Sequence, residues 1–150
     1  MSAAILPMRR AATGAEILAL TLWGEAAGRP VRAMEAVAAV VMTRVRLAAR
    51  AGGLAHLGQG VAGVCRAPFQ FACWQPRHPR HAALAECDTQ ADAAFPACRR
   101  IAARAMAGLL PDPTEGATHY HAADELPRWA VGQVPTAELG GLVFYRLLDG

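Results

Sequence analysis

From Ala15 to Leu22 nearly every position is apolar, and Thr13 followed by Glu16 sets a capping box in front of them, so the pattern predicts a first helix. It carries Ile17, Leu18 and Leu22 inward and is stopped by Gly28 and Pro30. In the next stretch, VRAMEAVAAVVMTRVRLAAR, Met34, Val37, Val41 and Val45 recur at helical spacing, with Arg46 and Arg50 toward the polar side. This segment is expected to be the central buried helix, its alanines at 36, 38 and 39 letting another backbone approach closely. AGGLAHLGQG has the glycine density of a surface loop, and from Val61 to about Pro79 no period holds, so an irregular segment is expected. A third helix is predicted from about Pro96 to Ala107, with Ile101, Ala105 and Met106 on its apolar side and Gly108 as C-cap. PDPTEG makes a turn. GATHYHA and GLVFYRLL then favour extended structure on either side of a loop containing Pro and Trp. These elements make one α+β domain over residues 1–150, a mainly helical body with a small antiparallel sheet or hairpin, with residues 1–12 flexible.

The 150 residues are 54% apolar and 18% charged, without any uninterrupted apolar run of the roughly 18 residues that a membrane span needs, so no stable membrane insertion is expected. Every non-histidine cation is arginine, and the formal charge is +3. That excess is modest and dispersed, and no reader motif accompanies it, which argues against a nucleic-acid partner. The N-terminal MSAAILPMRR places its arginines after a very short apolar run, the reverse of a secretory signal, so no signal peptide is read. Cys65, Cys73, Cys87 and Cys98 contain no C-x-x-C pair. Four buried thiols suit a cytoplasmic protein, whereas a protein working in an oxidising compartment is expected to hold at least one bridge.

Glu25 lies between Trp23 and a Gly/Pro break, at the end of an apolar helix facing a loop. A partly desolvated carboxylate so placed suits proton exchange with a substrate, although a solvated helix-end residue reads the same way. Glu35 is the nearest possible partner carboxylate, but it belongs to the exposed flank of the second helix, and Asp92, Asp112, Glu115, Asp124 and Glu125 read as loop charges. On a strand, His119 and His121 point to one face with Tyr120 opposite. An H-x-H pair can ligate zinc, but a third ligand at recognisable spacing is missing. The better reading is a polar, aromatic cleft wall in which His119, His121 and Trp129 hydrogen-bond and stack on a sugar or similar flat polar ligand. FQFACWQP offers a similar mixture, with Phe69, Phe71 and Trp74 as aromatic surface and Gln70 and Gln75 as hydrogen bonders. Core aromatics and satisfied sheet histidines are the plain alternatives.

Four blocks in order, LTLWGEAAGRPVRAMEAVAAVVMTRV, VCRAPFQFACW, IAARAMAGLLPDPTEGATHYHA and LGGLVFYRL, resemble the SleB-like cell wall hydrolase family, the spore cortex-lytic enzymes and their relatives. The resemblance implies peptidoglycan as substrate and partner, a lysozyme-like fold similar to the catalytic lobes of lytic transglycosylases, and cleavage between N-acetylmuramic acid and N-acetylglucosamine. The family's catalytic glutamate, in its G-E-A motif, falls on Glu25. A lytic transglycosylase needs no second carboxylate, because the muramoyl 6-hydroxyl acts as nucleophile and closes a 1,6-anhydro ring. Gln70, Phe71, Trp74, His119, Tyr120, His121 and Trp129 would line the glycan groove, with no metal or cofactor implied. Two positions depart from the family: Ala27 stands where G-E-A-R-G has arginine, and Leu142 where a histidine usually precedes V-F-Y. The first is expected to remove a polar contact near the catalytic helix, the second to bear on activity or substrate preference. A hydrolytic muramidase, a zinc-dependent amidase or peptidase using His119 and His121, and a non-catalytic glycan-binding module are the competing readings. A monomer is expected, acting at the cell wall after release or delivery in a lysis system, or as part of a phage-like particle.

Overall fold

In the computed structural model, which describes residues 12–50, 52–67, 70–85 and 92–148, the first helix, α1 (Gly14–Ala26), is buried continuously from Ile17 to Gly24. Thr13 Oγ1 accepts the Glu16 N–H at 3.2 Å, as the capping pattern predicts. The helix has no polar face, and a helix that is apolar all round belongs in the middle of a domain. That corrects the expectation that the second helix, α2 (Val31–Ala49), is the central one. α2 is amphipathic, burying Ala33, Met34 and Ala36–Val41 while Val31, Arg32, Arg46 and Arg50 meet solvent.

Around α1 pack α2, α3 (Gly60–Arg66), α4 (His81–Ala85), α5 (Phe95–Met106) and a single 3-10 turn at Ala72–Trp74. α3 and the 3-10 turn occupy the stretch expected to be irregular. At 7 residues α3 is too short to show a period, yet it buries Val64 and Cys65. α5 begins one residue before its predicted start, buries Cys98, Ile101, Ala102 and Ala105, and ends at Gly108, whose φ of +73° makes the left-handed cap. Met106 was expected on the apolar side but is 44% exposed, because the helix ends there and its side chain only skirts Gly14 at the edge of the core.

The C-terminal part forms an antiparallel sheet of β1 (His119–Ala122), β2 (Ala137–Leu139) and β3 (Leu142–Tyr145), in the order β1-β3-β2. β2, unannounced in the sequence, joins β3 through Gly140 and Gly141, both at positive φ (+57° and +81°), the two-residue hairpin geometry that glycine serves best. A Cβ at Gly140 would stand 2.6 Å from Ala33 Cβ, so the turn sits flush on α2. Tyr120 pairs with Phe144 and Ala122 with Leu142, and these residues face the helical core. On the other face Val143 and Tyr145 pack with Ala130.

Of the two readings open for the cysteines, buried thiols or a bridge, the structure shows buried free thiols at Cys65, Cys73 and Cys98; Cys87, Phe69 and residues 1–11 lie outside the described residues. Burial pushes the Cys65 and Cys98 thiols up to about 11, away from the reactive thiolate. Among the described residues no helix is long and apolar enough to cross a membrane.

Candidate active site

Glu25 occupies the last turn of α1, and the residue before it decides what can approach. A Cβ on Gly24 would fall 2.6 Å from Cys73 Cβ and 3.0 Å from Leu84 Cδ1, so only glycine lets the 72–74 turn lie directly on the helix. This contact delivers the Cys73 N–H to Glu25 Oε2 at 3.0 Å. Tyr120 reaches the same carboxylate from the sheet, its hydroxyl donating to Oε1 in a short hydrogen bond. Burial first, and then the Glu25 charge, hold the Tyr120 phenol well above its ordinary pKa, so it stays a protonated donor. Glu25 is thereby fixed at both oxygens, each of which keeps a further lone pair.

The end of α1 is pinned by Arg80, whose Nη1 and Nη2 donate to the Trp23 and Ala27 carbonyls at 2.8 and 3.3 Å while its guanidinium lies over the Trp23 ring. A cation is therefore present beside Ala27 although the side chain at that position supplies none. Behind the carboxylate stands Arg44, only 4% exposed. Its Nε donates to the Thr118 carbonyl at 2.8 Å and its Nη1 to Gln70 Oε1 at 2.9 Å, and it sits 5.0 Å from the Phe71 ring centroid. Burial lowers its pKa, and the neighbouring Tyr120 and Glu25 partly restore it. Arg44 thus ties α2 to the start of β1 and to the Gln70 segment, the two walls that flank Glu25.

These walls enclose a groove of about 560 Å³, within the range of small-ligand sites. Glu25, Gln70, His119, Tyr120, His121 and Trp129 all line it. The histidines do so differently from expectation. His121 stacks on Tyr145 and hydrogen-bonds its hydroxyl at 2.8 Å, and both histidines pack on Trp129 with ring centroids 5.3 and 5.6 Å away. They brace one wall, while Tyr120, on the strand's opposite face, makes the contact with the carboxylate. His119 is pushed down to about 4 by burial and by the charges of Arg44 and His56, so it is a neutral wall residue at neutral pH.

Phe71 and Trp74 are not groove residues. Phe71 is 1% exposed and forms core beneath Arg44, and Trp74 turns its Nε1 to the buried Thr21 Oγ1 at 2.9 Å. The FQFACW segment reads as aromatic surface, but the turn at 72–74 directs its rings inward and its backbone N–H outward. Glu35 pairs with Arg104 at 3.4 Å, outside the groove lining. Arg29, Arg44 and His78 line the groove without having been singled out, and Glu125, read from the sequence as a loop charge, lines it too. Only Arg44 carried a signal, since it sits at helical spacing from Val37, Val40 and Val41, on the buried face of α2. Among the described residues no group of three or more His, Cys, Asp or Glu side chains gathers where a metal could be held, and His119 and His121 spend their Nδ1 atoms on Thr118 Oγ1 and the Ala122 carbonyl.

A family profile described as Cell Wall Hydrolase matches residues 28–145. The chain belongs to the cell wall hydrolase family. The matched span starts after Glu25, so the case for that residue in this cell wall hydrolase rests on its geometry and on the G-E-A resemblance. Two solved structures are similar: the catalytic domain of the Bacillus cereus SleB protein, at 23% identity over 89% of each chain with a TM-score of 0.61, and the catalytic domain of the germination-specific lytic transglycosylase SleB from Bacillus anthracis, at 22% identity over 94% of this chain and 100% of that one with a TM-score of 0.63. At such identities the likeness shows the fold, and it is the helical, lysozyme-like architecture with a small sheet that the sequence predicts. No curated protein sequence matches the chain.

Proposed function

We propose that this cell wall hydrolase cleaves peptidoglycan strands between N-acetylmuramic acid and N-acetylglucosamine as a lytic transglycosylase, with Glu25 as both acid and base. The observation that carries the reading is the Glu25 carboxylate at the groove, held at Oε1 by Tyr120 and at Oε2 by Cys73. A group that must give and then retake one proton needs a fixed orientation, and two donors on different elements supply it. In the first step the Glu25 carboxyl proton passes to the glycosidic oxygen as the bond from the muramoyl C1 breaks, the electron pair leaving with that oxygen. In the second the muramoyl 6-hydroxyl attacks C1, its proton returns to the Glu25 carboxylate, and the 1,6-anhydro ring closes. The acid is regenerated, and water takes no part.

Glu125, exposed on the loop after β1, lines the same groove and favours a second reading, hydrolysis with that carboxylate activating water. Mass spectrometry of the soluble products from purified sacculi separates the two. The transglycosylase yields 1,6-anhydro ends, lighter by one water than the reducing ends of hydrolysis, and a majority of reducing ends would overturn the primary reading in favour of Glu125.

A further inference from the structure

Two arginines line the groove, and they are used in opposite ways. Arg44 spends Nε and Nη1 on protein acceptors, as described above. Arg29, in the turn between α1 and α2, spends only Nη1, which donates to the Gly140 and Gly141 carbonyls at 3.3 and 3.4 Å. Its Nε and Nη2 have no acceptor, and it pairs with no carboxylate among the described residues. These two nitrogens form the edge of a guanidinium that receives a carboxylate in bidentate fashion. The seat itself is shaped for the arginine. A Cβ at Gly141 would lie 2.7 Å from Arg29 Nη1, so a side chain there would evict the guanidinium from the hairpin turn. Two carbonyl anchors on a tight turn hold the long side chain in place, which lowers the ordering cost of using its free edge.

The sheet register locates this edge. Arg44 binds the carbonyl of Thr118, just before β1, whereas Arg29 binds the turn beside Leu142, which pairs with Ala122 at the far end of β1. Tyr120, and with it Glu25, lies between them. Three residue steps separate His119 from Ala122, a span of about 10 Å, so the open guanidinium edge stands about one sugar unit's length or more along the groove from the other arginine. Among the described residues Glu125 is the one other carboxylate lining the groove, and it makes no ion pair with Arg29.

We propose that Arg29 is an anion subsite that binds a stem-peptide carboxylate of the glycan strand, so that the enzyme selects strands bearing free peptide carboxylates. The proposal rests on the reading of this groove as a peptidoglycan site. In intact strands the lactyl group of muramic acid is tied up as an amide, so the carboxylates that remain are those of the peptide.

The test compares native sacculi with sacculi whose carboxylates have been converted to primary carboxamides by carbodiimide and ammonia, a change that removes charge and keeps shape. Binding is read by co-sedimentation of the full chain carrying Glu25→Gln, so that turnover does not intrude. Native sacculi are expected to bind about tenfold more tightly, with the ratio falling toward one as salt is raised. Adding Arg29→Gln should remove the preference and Arg29→Lys should keep part of it. Arg100→Gln, which deletes the same charge from the exposed side of α5, should leave it intact. Equal binding to both substrates, or a preference that survives Arg29→Gln, overturns the proposal. Product release by wild-type protein is followed alongside: cleavage without carboxylate preference removes the Arg29 subsite alone, whereas carboxylate preference without cleavage keeps the subsite and removes the catalytic reading.

Discussion

Replacing Tyr120 by Phe removes one oxygen atom and little else. The ring keeps its neighbours, Phe144 at 5.6 Å and Phe71 at 6.5 Å between centroids, so the core beneath the groove should persist. What is lost is the donor to Glu25 Oε1, leaving the carboxylate held only through the Cys73 N–H at 3.0 Å. A hydrogen bond to a charged acceptor contributes about 1.5–3 kcal/mol. If that energy orients Glu25 in the transition state, its loss lowers kcat roughly ten- to hundred-fold, since about 1.4 kcal/mol corresponds to tenfold in rate. The assay is the initial rate of soluble product release from sacculi across a substrate series, with urea denaturation alongside. The expected result is a fall in kcat with KM little changed, because the hydroxyl is committed to Glu25 and the substrate binds elsewhere in the groove. Full activity in a folded Tyr120→Phe protein would refute the argument that this hydroxyl holds the carboxylate in its working orientation.

Gly24→Ala should lower both stability and activity, because the new Cβ meets Cys73 at 2.6 Å and must push the 72–74 turn off α1. Overpacking of this kind costs about 1–3 kcal/mol, which urea denaturation would detect, and a gain in stability from the better helix former would contradict it. Arg44→Met should cost about 2 kcal/mol by leaving the buried Thr118 carbonyl and Gln70 without their donor, and an unchanged urea midpoint would show that Arg44 is not the tie between α2 and the sheet. His119 titrates at about 4 in the folded protein against an ordinary 6.5, so the unfolded chain binds its proton first. Its stabilising contribution is complete above pH 6.5 and is lost as pH falls from there toward 4. His119→Gln should flatten the fall in urea midpoint across that window, and an identical pH profile would contradict the assignment.

The long elements of this fold were legible because their patterns are long. The run from Ile17 to Leu22 and the spacing of Met34, Val37 and Val41 each predict a helix, although the ranking of the two was inverted, since an amphipathic pattern is easier to see than the absence of a polar face. α3 and β2 were hidden, with 7 and 3 residues respectively, because elements so short are held by tertiary packing rather than by local preference. At the site, Glu25 and the HYH segment could be picked out, and the alternation along the strand correctly set Tyr120 apart from the histidines. Which of the two faces meets the carboxylate depends on how the sheet lies on α1, and no local pattern encodes that. The same holds for the inward turn of Phe71 and Trp74, which follows from the close approach at Gly24. Arg29 carries no signal in the sequence, because its anchor, the Gly140–Gly141 turn, lies more than a hundred residues further along the chain.

The central claim is that Glu25 alone moves the proton, and it is tested most directly by comparing wild type and Glu25→Gln for release of 1,6-anhydro products from purified sacculi by mass spectrometry, with thermal unfolding of both recorded. The glutamine carbonyl can still accept the Cys73 N–H while its NH2 group donates to the Tyr120 hydroxyl oxygen, so the variant should fold with an unfolding temperature close to wild type. The account predicts anhydro products from wild type and none from the variant. Anhydro products released by a folded Glu25→Gln protein would contradict it and move the chemistry to another residue in the groove.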